Sequence, residues 1–113
     1  MIDTQLFDQQ QLEALARLFA ILAEPARLAI LQRLRAGECA VGVLVNELGI
    51  KQANVSKQLG IMYNAGLLQR RRNGSQVIYS IREPMIFELC DLVCRKLHAD
   101  ALRQANAFGA APP

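Results

Sequence analysis

The chain has 113 residues, 52% of them hydrophobic and 20% charged, and thirteen Lys/Arg against ten Asp/Glu give a formal net charge of +3. That length suits one domain, or about 100 ordered residues plus tails, and the apolar fraction is too high for a disordered chain. With four Phe, two Tyr and no Trp, the core is built mostly from Leu, Ile, Val and Ala, which favours helices over an aromatic-rich sheet. No apolar run reaches the roughly 18 residues of a membrane span, and residues 1–11 lack the basic-then-apolar order of a signal peptide. Three cysteines, at 39, 90 and 94, are not a disulfide framework. A cytoplasmic protein without a membrane partner is therefore expected. A single His and the lack of paired carboxylates, a Gly-rich phosphate loop or a His-bearing nucleophile pair argue against an enzyme.

The charge is unevenly placed. From Leu48 to Arg82 there is no Asp or Glu, yet the stretch holds Lys51, Lys57, Arg70, Arg71, Arg72 and Arg82. Such a block suits a polyanionic partner. On charge alone, a solvated basic face is an equal alternative.

In chain order, residues 1–7 read as a flexible arm, 8–105 as the folded domain and 106–113 as a disordered tail. Asp8 caps a helix running to about residue 23, with Leu12, Leu15, Phe19 and Leu22 as one apolar stripe that Leu18 and Ile21 widen. A stripe so wide on a terminal helix points to cover by a partner subunit, or to packing within a monomer. Pro25 opens a second helix over 25–35, with Leu28, Leu31 and Leu34 inward, and Gly37 ends it. Residues 38–41 form a linker with one brief strand. A third helix covers 42–48, burying Leu44 and Leu48, and Gly49 stops it. The next covers 52–65, burying Val55, Leu59 and Met62. The period then changes from 3.6 to 2. A strand over 67–72, the hairpin signal Asn73-Gly74 and a return strand over 75–81 follow. A last helix covers 83–105, with Met85, Leu89, Leu92, Val93 and Leu97 buried or facing another subunit.

The fold class expected is mainly α with a β-hairpin wing. Two short helices joined by Gly49-Ile50-Lys51 make a helix-turn-helix. The exposed face of the second is expected to offer Gln52, Asn54, Ser56, Lys57 and Gln58, with Lys51 at its entry. These side-chain types bond base edges or phosphates in a major groove. Arg70, Arg71, Arg72, Asn73 and Gln76 on the hairpin are expected to track phosphates or enter the minor groove. The bland reading is a solvated hairpin that only covers the core.

Four segments carry a resemblance. They are Leu22-Ala23-Glu24-Pro25-Ala26-Arg27-Leu28-Ala29-Ile30-Leu31, Val55-Ser56-Lys57-Gln58-Leu59, Ala65-Gly66-Leu67-Leu68, and Arg72-Asn73-Gly74 through Tyr79. Over roughly residues 12–97 the chain resembles the ArsR/SmtB family of winged-helix repressors. The resemblance implies a homodimer made by the first and last helices. It also implies a two-fold symmetric DNA operator, and repression relieved by an effector.

The family's sensing motifs match poorly. Where the arsenic and cadmium/lead sensors carry Cys-x-Cys, this chain has Ala40 and Gly42, with Cys39 one residue early. Of the zinc-sensor positions only His98 and Asp100 are suitably placed, with Glu88 and Asp91 as weak substitutes. The persulfide-sensing opening is matched by Ala40-Val41-Gly42-Val43-Leu44, but that branch's cysteines would fall near Gln32 and His98. Cys90 and Cys94, four apart on one helix face, remain. They are expected to meet a thiophilic ion such as arsenite, cadmium or zinc, or to be oxidised or persulfidated, with Cys39 and His98 as further candidates. The other reading is ordinary buried thiols in an effector-independent or small-organic-ligand-responsive regulator. A protein-interaction module without DNA binding would instead show acidic or apolar residues on the recognition helix.

Overall fold

The computed structural model describes residues 6–107; residues 1–5 and 108–113, most of the arm and tail expected at the two ends, lie outside it. Residues up to Arg82 form one unit and those from Glu83 onward a second.

In the first unit, α1 (Gln9–Leu22) begins at a reciprocal cap. The Asp8 carboxylate accepts from the Gln11 N–H at 2.8 Å, and the Gln11 side chain accepts from the Asp8 N–H at 2.9 Å. Pro25 forces Glu24 into extended backbone, which separates α1 from α2 (Pro25–Arg35). The buried face of α2 is Ile30, Leu31 and Leu34, whereas Leu28, expected inward, is 41% exposed. The register explains the difference. Residues 27, 30, 31 and 34 follow the i, i+3, i+4, i+7 pattern of one helix face, so Arg27, not Leu28, opens the inward row.

β1 (Cys39–Ala40) is the brief strand expected in the linker. α3 (Val41–Leu48) buries Leu44 and ends at Gly49, whose φ of +66° is a left-handed cap that a side chain would strain. α4 (Gln52–Asn64) buries Val55, Leu59 and Met62 completely. Each of these contributes about 1.5–3 kcal/mol by burial.

β2 (Leu68–Asn73) and β3 (Gln76–Ile81) form the hairpin, and the sheet order is β1-β3-β2, antiparallel throughout. The turn lies one residue later than expected. Asn73 pairs with Gln76, so the two loop residues are Gly74 and Ser75. Among the described residues only glycines have positive φ, Gly74 at +63°. A turn centred on Asn73-Gly74 would need positive φ at both. The Gly74-Ser75 turn needs it at the first alone, as in a type II′ hairpin. Leu67, Leu68 and Tyr79 close the core beneath the sheet.

The second unit is α5 (Met85–Ala107), 23 residues long. It starts two residues after the expected position, because the Ile86 and Phe87 N–H groups bond back to the carbonyls of Glu83 and Pro84 in a tighter first turn. It extends through Asn106 and Ala107, which had been expected in the tail. Its one buried residue is Ile86, while Met85, Leu92, Val93, Leu97 and Leu102 are exposed. No described helix is long and apolar enough to cross a membrane.

Candidate nucleic-acid interface

The turn between α3 and α4 is Gly49-Ile50-Lys51, closed by the Gly49 N–H donating to the Val45 carbonyl at 3.0 Å. Lys51, Gln52, Asn54, Ser56 and Lys57 are all exposed, as expected. No acidic residue lies on α4.

Gln58 is a correction. Expected on the exposed face, it is only 6% exposed and belongs to the buried row 55, 58, 59, 62. Its Oε1 accepts from Arg27 Nε at 2.7 Å, and its Nε2 donates to Asn54 Oδ1 at 2.8 Å. Both ends of the amide are thus bonded within the chain, which is what lets a glutamine sit among apolar side chains. Arg27 was not singled out from the sequence. It also donates through Nη1 to the Ile21 carbonyl at 2.9 Å and the Ala20 carbonyl at 3.4 Å. These are among the last carbonyls of α1, at the negative end of the helix, which attracts a cation; the Ala20 carbonyl also accepts from the Ala23 N–H at 3.2 Å. An arginine opening an otherwise apolar row was the available signal.

The three wing arginines differ. Arg70 lies over the Tyr63 ring at 3.9 Å and donates to the Tyr79 hydroxyl at 3.4 Å, so β2 is tied to the end of α4. These contacts raise its pKa, the Tyr79 bond most of all. Arg71 donates through Nη2 to Glu38 at 2.7 Å. That bond raises the Arg71 pKa and holds the Glu38 carboxyl below its usual value. The stretch without acids in sequence is therefore met by an acid in space. Arg72 has no partner among the described residues and is exposed, as are Asn73 and Gln76 at the tip.

The candidate sensing residues differ in burial. Cys39 is 5% exposed and donates to the Ala40 carbonyl at 3.5 Å. Burial pushes its thiol pKa up, against a smaller opposing pull from Arg33. A thiol so placed is a poor source of the thiolate that binds metals and attacks electrophiles. Cys90 is half-buried, Cys94 and His98 are exposed, and no disulfide joins any of the cysteines. Asp100, considered beside His98, instead pairs with Lys96 and Arg103. Among the described residues no group of three or more His, Cys, Asp or Glu is arranged to hold a metal ion.

A helix-turn-helix with a polar, acid-free reading face and a basic two-stranded hairpin behind it defines a winged-helix DNA-binding protein. A family model described as a helix-turn-helix domain matches residues 22–71. An uncharacterized HTH-type transcriptional regulator of Mycobacterium tuberculosis is 42% identical over 88 residues, covering 77% of this chain and 76% of that protein. The solution structure of the homodimeric winged helix-turn-helix DNA-binding domain of a possible ArsR-family regulator from Mycobacterium bovis superposes with a TM-score of 0.69 at 30% identity. It covers 88% of this chain and 91% of that one. The crystal structure of an antimony-specific transcriptional repressor gives a TM-score of 0.75 at 28% identity, covering 89% and 93%. The chain belongs to the ArsR/SmtB-like family of winged helix-turn-helix transcriptional regulators. It is a DNA-binding protein and not an enzyme.

Proposed function

We propose that the chain acts as a homodimeric repressor that reads a two-fold symmetric operator and is released by an effector. The exposed face of α4 carries this assignment. Lys51, Gln52, Asn54, Ser56 and Lys57 offer donors and acceptors on a helix with no acid to repel phosphate. Each subunit would insert α4 into a major groove, with half-sites about one helical turn apart, while Arg72, Asn73 and Gln76 hold the flanking backbone. The dimer is supported by α1 and α5. Leu12, Phe19, Leu92, Val93 and Leu97 are each more than 45% exposed in one chain, an arrangement that marks an interaction surface. The Mycobacterium bovis domain of the same fold is homodimeric.

Release is assigned to Cys90 and Cys94. Four apart on α5, they share a face and suit a thiophilic ion such as arsenite, cadmium or zinc, or oxidation or persulfidation. The similarity to an antimony-specific repressor supports a thiophilic metalloid. A second reading, a regulator without a thiol effector, is favoured by the burial of Cys39, whose raised pKa disfavours the thiolate at that position.

Native mass spectrometry of the reduced protein with arsenite, cadmium, zinc and a persulfide donor tests this, with release from DNA followed in parallel. Adducts lost in Cys90→Ser and Cys94→Ser, and coupled to release, are expected. No adduct and no release would leave the cysteines structural.

A further inference from the structure

Gln58 is the one buried polar side chain among the described residues, and it lies one helical turn from Asn54 on α4. The hydrogen bonds from Arg27 to Gln58 and from Gln58 to Asn54 have a direction, and the direction is set at the arginine. An arginine Nε can only donate, so Gln58 must turn its Oε1 toward Arg27 and its Nε2 toward Asn54. An amide nitrogen likewise only donates, so Asn54 must turn its Oδ1 inward. The Asn54 Nδ2 is left outward, with no partner among the described residues. Arg27 is itself held by the α1 carbonyls of Ile21 and Ala20, so the relay has a fixed end.

We propose that Arg27 and Gln58 are positioning residues that fix which end of the Asn54 amide faces DNA, so that Asn54 selects a base edge that accepts. The proposal rests on α4 being the DNA-reading helix. In the major groove guanine presents two acceptors, N7 and O6, whereas cytosine presents only its amino donor. The two outward N–H bonds of Asn54 match guanine and leave cytosine facing a donor with a donor. An asparagine not held this way turns over freely and offers either end. The relay therefore narrows what α4 accepts, through two residues that do not touch DNA.

Two substitutions reverse the outward group by different routes. Gln58→Glu keeps the bond from Arg27 and pairs its charge, but its second oxygen can only accept. Asn54 must then turn its nitrogen inward and its oxygen outward. Asn54→Asp places an acceptor outward directly, at an exposed position with little folding risk. The full chain and both variants would be used to select duplexes from a random-sequence pool. Affinity would then be measured by fluorescence anisotropy with all four bases at each position of a half-site.

For the unmodified chain, one position is expected at which replacing guanine by cytosine weakens binding about tenfold, the loss of roughly one good contact. In both variants the preference at that same position should move to cytosine or adenine, whose amino groups donate, while other positions keep theirs. If Gln58→Glu does not fold, as judged by circular dichroism, Asn54→Asp carries the test alone. Unchanged preference at that position, or an even loss of affinity at all positions, overturns the proposal. Failure of the unmodified chain to select any duplex overturns the DNA-reading assignment itself, which is a different result from an unmoved preference.

Discussion

α4 and α5 handle the same problem in opposite ways. α4 hides every member of its inward row within its own unit, with Val55, Leu59 and Met62 at 0% exposure, and turns a polar face outward. α5 hides only Ile86 and leaves Met85, Leu92, Val93, Leu97 and Leu102 exposed. α1 resembles α5 in this respect, having no buried residue at all. A helix that is polar outside and apolar inside is complete in one chain. A helix with an apolar row still exposed needs cover. The reading surface is thus finished within a subunit, and the surface that would pair two subunits is not.

Substitutions should break this contrast in order of size. Leu59→Ala should lower stability by about 2–5 kcal/mol through loss of burial and the cavity left behind, at every protein concentration, as read by urea unfolding. Leu97→Asp on α5 should barely affect the fold of one chain but prevent pairing. Its affinity for a two-fold operator should then fall on the order of a hundredfold, because linked half-site binding is lost. Sedimentation and anisotropy would read the two effects. A Leu97→Asp variant that stays dimeric would remove α5 from the interface.

Smaller effects should separate contacts within the reading surface. Lys57→Ala should weaken binding to every duplex and reduce the salt dependence by about one phosphate contact. Gln52→Ala should instead blunt sequence preference. Titrations at two salt concentrations on operator and random DNA distinguish them, and an unchanged Lys57→Ala slope would contradict its assignment.

The smallest effect concerns Glu38. Arg71 holds its carboxyl below the usual 4.5, so the contribution to folding is fully present above about pH 4.5 and is lost as pH falls through the lower folded value. The pair is half exposed, so its contribution is slight. Glu38→Gln should flatten the acid limb of the stability curve a little. It should also free Arg71 for phosphate, steepening the salt dependence of DNA binding by up to one contact. An unchanged acid limb would show that the pair has no linkage to folding.

Local signals made most of the fold legible. Asp8 with Gln11, Pro25, Gly49 and the change of period after Gly66 mark boundaries by chemistry that acts within a few residues. The hairpin shifted by one because Asn-Gly and Gly-Ser turns compete over the same residues, and the pairing of Asn73 with Gln76 decided between them. The exposed residues of α4 were legible too. Gln58 was misjudged because polarity was weighed above position: the row 55, 58, 59, 62 already placed it inward. Its partner Arg27 is 31 residues away and the partner of Arg71 is 33 away. No local pattern carries such pairings, since they depend on how the elements pack.

The central claim is that two copies of this chain read one DNA site. Analytical ultracentrifugation with a fluorescent duplex selected by the protein tests it directly. The protein alone should sediment as a dimer of about 25 kDa, twice the 12.5 kDa chain, and each duplex should carry two chains, as expected for a dimer spanning two half-sites. A monomer at micromolar concentration, or a single chain bound per duplex, would contradict it.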